Sequence, residues 1–274
     1  MPVAPNIDAI SDFTPRGRPV VEWNTARVDR SRRAQMQVQI LPGPPESNYL
    51  TSVRVSQSKS MAETTRRVTQ CQKPSGWIGR FIVKNMNSRH SKLTDWGLSH
   101  VEVTRNFKVL DVGCGGGRTI SKLATLAMEG KVFGIDYSDV SVSVARKLNV
   151  HAIEQGRVEI QEASVSQLPF DGNAFDVVTA VETHFWWPDL PSGLLEVFRV
   201  LKPGGTLVVI AEIYKGAQTR VAQIVEKNIP RFGMNLLSPD EHRAALAEAG
   251  FSDIQIVTES KRGWICCVGK KPSV

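Results

Sequence analysis

The chain has 274 residues, a formal net charge of +7, and 41% hydrophobic against 22% charged residues. That balance fills a sizeable core and excludes a wholly disordered chain; no stretch reaches the roughly 18 uninterrupted apolar residues of a membrane-spanning helix. Cys71, Cys114, Cys266 and Cys267 make neither a disulfide framework nor a CxxC metal pair, so no metal is expected. With no compact apolar leader at the N-terminus, the sequence predicts a cytoplasmic protein. The charge is dispersed: residues 1–60 carry 8 Lys/Arg against 5 Asp/Glu, and the rest is close to balanced. Such a spread reads as solvated surface and disfavours nucleic acid as a partner.

Residues 1–60 are punctuated by Pro2, Pro5, Pro15, Pro19 and Pro42-Gly43-Pro44-Pro45, without a sustained period, and are expected to form a disordered extension. Residues 61–104 read as a helical lead-in, with Pro74 and Ser75 at a helix start and Trp77, Phe81, Met86, His90, Trp96 and Leu98 as its apolar punctuation. Trp77, Met86, His90 and Trp96 are candidates for a lid. From 105 to 274 strands and helices alternate. Strands are expected over 107–112, 131–135, 158–160, 175–181, 206–213, 254–258 and 264–268, and helices over 119–129, 140–155, 190–201 and 238–249. Near-continuous apolar strands alternating with helices predict a doubly wound α/β domain. Its ligand site should lie beyond the carboxyl ends of the strands.

The first strand runs into Asp111-Val112-Gly113-Cys114-Gly115-Gly116-Gly117-Arg118 and then a helix. Glycines remove Cβ atoms where a ligand presses on the backbone, and the helix N-terminus offers free N–H groups. A dinucleotide fingerprint starting at Gly113 would need Gly or Ala where Arg118 stands, and a P-loop would need G-K-[ST]. Asp111 suits a positively charged ligand group and would repel a phosphate. Asp136, 23 residues after Gly113 at the end of the second strand, can accept both hydroxyls of a ribose.

These residues resemble the class I S-adenosylmethionine-dependent methyltransferases, in the branch of the ubiquinone/menaquinone-biosynthesis C-methyltransferases. The resemblance rests on VLDVGCGGG (109–117), FGIDYS (133–138), LPFDGNAFDVVTA (168–180) and RVLKPGGTLVV (199–209), in that order. It implies a Rossmann-like seven-stranded sheet whose last strand, 264–268 here, runs antiparallel, and S-adenosyl-L-methionine as cofactor. Gly113, Gly115 and Gly117 would face the methionine portion, Asp136 the ribose, and 162–165, with Ser164 and Val165, the adenine. Many relatives carry Asp-Ala in that third-strand loop, where this chain has Glu162-Ala163-Ser164-Val165.

Methyl transfer is an in-line displacement from a sulfonium, so the protein chiefly aligns the acceptor and, where needed, deprotonates it. After the fourth strand the chain reads Glu182-Thr183-His184-Phe185-Trp186-Trp187-Pro188. The Asn/Asp-Pro-Pro-aromatic motif of amino-group methyltransferases is missing, which favours an oxygen, carbon or sulfur centre on a small apolar or aromatic molecule. His184 is the expected general base, and Glu182 binds the cofactor's amino end or a substrate cation. Trp186 and Trp187 are expected to wall the acceptor, with Tyr214 contacting it. The rival readings are an RNA methyltransferase, a non-catalytic S-adenosylmethionine-binding module and, more distantly, a nicotinamide oxidoreductase.

Overall fold

The computed structural model describes residues 72–273, without the side chains of residues 77, 84–89, 230 and 231. The extension expected over 1–60 and the first part of the lead-in lie outside the described residues, as do the side chains of Trp77 and Met86. Helices α1 (Gly76–Arg89) and α2 (Ser91–Leu98) come first. The alternating part then runs β1 (Lys108–Val112), α3 (Arg118–Leu126), β2 (Lys131–Asp136), α4 (Asp139–Leu148), α5 (Val150–Glu154), β3 (Val158–Glu162) and β4 (Phe175–Val181). A 3-10 turn (His184–Trp186) leads into α6 (Leu190–Val200), β5 (Leu201–Ala211), α7 (Arg220–Lys227), α8 (Ile229–Phe232), α9 (Pro239–Glu248), β6 (Ser252–Glu259) and β7 (Trp264–Lys270).

The seven strands lie in the order β3-β2-β1-β4-β5-β7-β6. The first five pair in parallel, and β7 runs antiparallel to both β5 and β6, as expected of the closing strand. Strand order reverses beside β1, so the loops after β1 and β4 diverge there and leave a crevice at their carboxyl ends. One face of the sheet packs Leu93 and Leu98 of α2, Ile120 and Leu123 of α3, and Val142 and Ala145 of α4. The other face packs Leu194, Val197 and Val200 of α6 and Leu246 of α9. Burial on both faces is why the strands carry near-continuous apolar runs.

Two departures from the periodicity have local causes. The helix expected over 140–155 is broken at Asn149, which leaves helical geometry at ψ 18. Its side-chain amide donates to the carbonyls of Gly117 (3.0 Å) and Ala145 (2.9 Å), pinning α4 to the start of α3. Strand β5 begins earlier than expected. Leu201 already pairs with Phe175, and the register then shifts across Lys202 to Gly205 before Thr206 meets Val177, so Pro203-Gly204-Gly205 forms a bulge. Helix α9 matches its expectation closely. The Ser238 Oγ accepts from the Glu241 amide and the Glu241 carboxylate accepts from the Ser238 amide, a complete capping box.

Candidate active site

The loop between β1 and α3 is shaped by backbone contacts a side chain would break. Gly113 (φ 73) and Gly115 (φ 53) both sit in the left-handed region. A Cβ on Gly113 would lie 2.1 Å from Thr183 Oγ1, so the loop is pressed against the segment after β4. A Cβ on Gly115 would meet nothing within 4 Å, so that glycine faces open space. No side chain caps α3, whose N-cap is Gly117, so its first amide groups present their partial positive charge to the same space.

Asp136 closes the other side of the loop. Its Oδ2 accepts from the Gly115 amide and its Oδ1 from the Ser138 amide, both at 2.9 Å. Burial pushes its pKa up, opposed by those two amide bonds. Each carboxylate oxygen keeps further lone-pair capacity toward a ligand hydroxyl. The lead-in arches over this end: Ser138 Oγ donates to the Pro74 carbonyl (2.8 Å), and the Tyr137 hydroxyl donates to the Gln72 carbonyl.

Two cavities meet over Asp136 and share Gln72, Gly113, Asp136, Tyr137, Thr183 and Trp186 as walls. One extends past Ala163, Ser164 and Val165 to Trp187. The other extends past Gly115 and Arg118 to Thr94, His90 and Glu182. Taken together these adjoining cavities make a cleft that reaches from the β3 loop past Asp136 to the end of β4.

Of the residues singled out in the sequence, Gly113, Gly115, Asp136, Ser164, Val165, Glu182, Trp186 and Trp187 line this cleft. Gly117 sits behind it, where a Cβ would meet Ala145 and Asn149. Three residues stand elsewhere. Asp111 is 1% exposed beneath the loop, accepts from Thr179 Oγ1 at 2.6 Å and lines neither cavity; it supports the loop from below and faces no ligand space. Tyr214 is buried in the core on the α6 and α9 face, so it does not contact a molecule in the cleft. His184 is also turned away, because the 3-10 turn points it into the core against α9. Its Nε2 lies 3.0 Å from His242 Nε2, and both rings are buried. A general base at His184 is therefore corrected to a structural histidine. The proposed lid divides similarly: His90 reaches the cleft, whereas Trp96 packs edge-to-face on His100 and against Trp264 on the back of the sheet.

Glu182 is held in a conformation rare for its residue type, φ 58. Its amide donates to the Ile210 carbonyl (2.9 Å), and its Oε1 accepts from the Glu212 amide. The strand-end rule that identified Asp136 also points to Glu212, one residue beyond β5, which the sequence reading missed. Gln72, Tyr137 and Thr183 carried no sequence signal; Tyr137 and Thr183 enter the cleft through loop conformations.

A sheet of this order, with a glycine loop after β1 and an acid at the end of β2, defines a class I S-adenosylmethionine-dependent methyltransferase domain. Residues 110–209 match the family described as a methyltransferase domain, and the chain carries that domain. The chain is similar to the uncharacterized methyltransferase YdaC of Bacillus subtilis, 25% identical over 190 residues, 69% of this chain and 96% of that protein. O-methyltransferase cnsE of Penicillium expansum is 32% identical over 148 residues, 54% of this chain and 53% of that protein. Demethylmenaquinone methyltransferase of Bacillus mycoides is 32% identical over 123 residues, 44% of this chain and 52% of that protein. The chain thus spans about half the length of the last two. Among solved structures, the methyltransferase in complex with the Haloferax volcanii Trm112 methyltransferase activator has a TM-score of 0.61 at 24% identity, covering 72% of this chain and 96% of that one. At that identity the likeness is one of fold.

The cofactor of such a domain is S-adenosyl-L-methionine, and the residues present fit it. Asp136 keeps acceptor capacity for ribose hydroxyls, Gly115 leaves the space a Cβ would fill, and the Asp136 and Glu182 carboxylates on the cavity wall suit a sulfonium cation better than a phosphate. No helix among the described residues is long and apolar enough to cross a membrane.

Proposed function

We propose that this chain transfers a methyl group from S-adenosyl-L-methionine to a small apolar or aromatic molecule, at oxygen, carbon or sulfur. The observation that carries this is the pair of adjoining cavities that share Asp136 and Trp186 as walls. When bound, the cofactor supplies the electrophilic methyl. Asp136 binds the ribose and orients it, and Ser164 and Val165 flank the adenine. Gly113 and Gly115 let the backbone approach the methionine portion. Glu182, His90 and Thr94 border the end where an acceptor meets the methyl, and Trp186 offers it an aromatic wall. Such a wall also favours a sulfonium by cation–π attraction. The similarity to a quinone methyltransferase and an O-methyltransferase supports an acceptor of this class.

The test is methyl transfer from labelled S-adenosyl-L-methionine to a panel of phenols, quinols, thiols and RNA. Label on a small aromatic acceptor supports the reading. Label on RNA alone, or cofactor binding without transfer to any acceptor, overturns it.

A further inference from the structure

Among the described residues, three side chains with metal-ligating atoms converge at the acceptor end of the cleft: His90, Glu182 and Glu212, whose donor atoms all lie within 4.8 Å of one another. They come from three separate places, the junction of α1 and α2, the end of β4 and the end of β5, so no sequence spacing announces them. His90 Nε2 stands 4.0 Å from Glu182 Oε2 and 3.8 Å from Glu212 Oε1. The side chains are partly buried, 16% exposed for His90, 9% for Glu182 and 26% for Glu212.

Two of the donors, His90 and Glu182, are placed by backbone contacts. The His90 carbonyl accepts from both the Thr94 amide and the Thr94 hydroxyl, at 2.9 Å each, which fixes the junction ahead of α2. The left-handed backbone of Glu182 turns its side chain from the sheet into the cleft, and the bond from the Glu212 amide holds one oxygen while the other faces His90.

We propose that His90, Glu182 and Glu212 bind a divalent first-row metal ion at the acceptor end of the cleft. Donors bonded to one ion at about 2.1 Å lie roughly 3.0–3.4 Å apart, so the two distances from His90, 4.0 and 3.8 Å, shorten by about 0.4–1.0 Å on binding, within the reach of two glutamate side chains. One imidazole and two carboxylates suit Mn²⁺, Fe²⁺ or Zn²⁺. Three protein ligands leave coordination positions open, the pattern of a catalytic and not a structural site. Those positions face the cleft through His90 and Glu182, where the ion can bind an acceptor oxygen and stabilise its deprotonated form. This narrows the acceptor atom to oxygen, or to carbon activated by a neighbouring oxygen. The ion's role rests on the methyl-transfer reading; its binding does not.

The experiment uses the full chain stripped with chelator and titrated with Mn²⁺ by electron paramagnetic resonance, with Zn²⁺ as competitor and a parallel titration with S-adenosylhomocysteine. The expected result is one saturable Mn²⁺ site displaced by Zn²⁺, weakened roughly tenfold or more in Glu212→Gln and in His90→Ala, with S-adenosylhomocysteine still bound. If His90→Ala fails to fold, Glu212→Gln decides, because it keeps the backbone amide that bonds Glu182. No saturable site, or a site unchanged by both substitutions, overturns the proposal. Retained S-adenosylhomocysteine binding in that case leaves the methyltransferase reading standing.

Discussion

His184 Nε2 and His242 Nε2 face each other at 3.0 Å in the core, and the protonation of the pair follows from one further contact. His242 Nδ1 lies 2.8 Å from the Ser238 carbonyl, which only accepts, so Nδ1 carries the proton and Nε2 is bare. His184 therefore donates from Nε2, leaving its buried Nδ1 without a hydrogen-bond partner. The pair ties α9 to the turn that carries Trp186, so it belongs to the scaffold of the cleft.

Burial, reinforced by the neighbouring ring, holds the His184 pKa well below the usual histidine range; burial lowers His242 against the opposing carbonyl bond. Both stay neutral in the fold and charge freely when unfolded. Their contribution is therefore complete above the unfolded value of about 6.5 and is lost as pH falls below it. His242→Ala strands the His184 N–H and is expected to cost about 1–3 kcal/mol and to flatten the acid limb of a Tm-against-pH curve. S-adenosylhomocysteine affinity falls far less than in a substitution of Asp136. An unchanged acid limb, or binding abolished in a folded variant, would contradict this assignment.

Asp111 shows the opposite sign. Burial pushes its carboxyl up to about 7, with the Thr179 hydrogen bond opposing and the Asp136 charge adding. Below the unfolded value both states are protonated. As pH rises from there through about 7, the unfolded chain releases its proton first and stability falls. Asp111→Asn keeps an oxygen for the Thr179 hydroxyl and cannot ionise. It should gain on the natural chain between pH 5 and pH 8, by at most about 3 kcal/mol over that range. Thermal melts of both proteins across that range check it, and a pH-independent difference would refute the account.

Gly113 and Gly115 separate folding from binding. Gly113→Ala combines a left-handed backbone, costing about 1–2 kcal/mol, with a Cβ driven into Thr183. It should lower Tm and weaken S-adenosylhomocysteine together. Gly115→Ala meets no protein atom within 4 Å, so it bears only the backbone cost while filling ligand space. Calorimetry and melting curves on the pair should show the larger Tm loss in Gly113→Ala and, in Gly115→Ala, an affinity loss out of proportion to its stability loss.

The alternating part of the fold was legible because its signals are local. Apolar runs, the Ser238 capping box and the Gly113 to Gly117 loop each declare themselves within a few residues, and the seven-stranded sheet with its antiparallel last strand followed from the family resemblance. That Asp136 and Ser164 line the cleft was legible for the same reason, since both stand at strand ends beside the loop. The end beside Glu182 was not. Whether Glu182 or His184 faces the cleft depends on the left-handed backbone at Glu182 and the 3-10 turn after it, neither of which alternation encodes. The partners that decide the matter, His242 for one and His90 with Glu212 for the other, lie far off in sequence. The break at Asn149 was hidden because its cause is a bond to Gly117 across the fold.

Binding of S-adenosyl-L-methionine in the cleft over Asp136 is tested most directly by calorimetric titration of the natural chain and Asp136→Ala with S-adenosylhomocysteine. One site per chain is expected in the natural protein. Its affinity should fall by about tenfold or more in the variant, the worth of one hydrogen bond to a charged group, while the variant remains folded by circular dichroism. Absence of binding in the natural chain, or equal affinity in both, would contradict it.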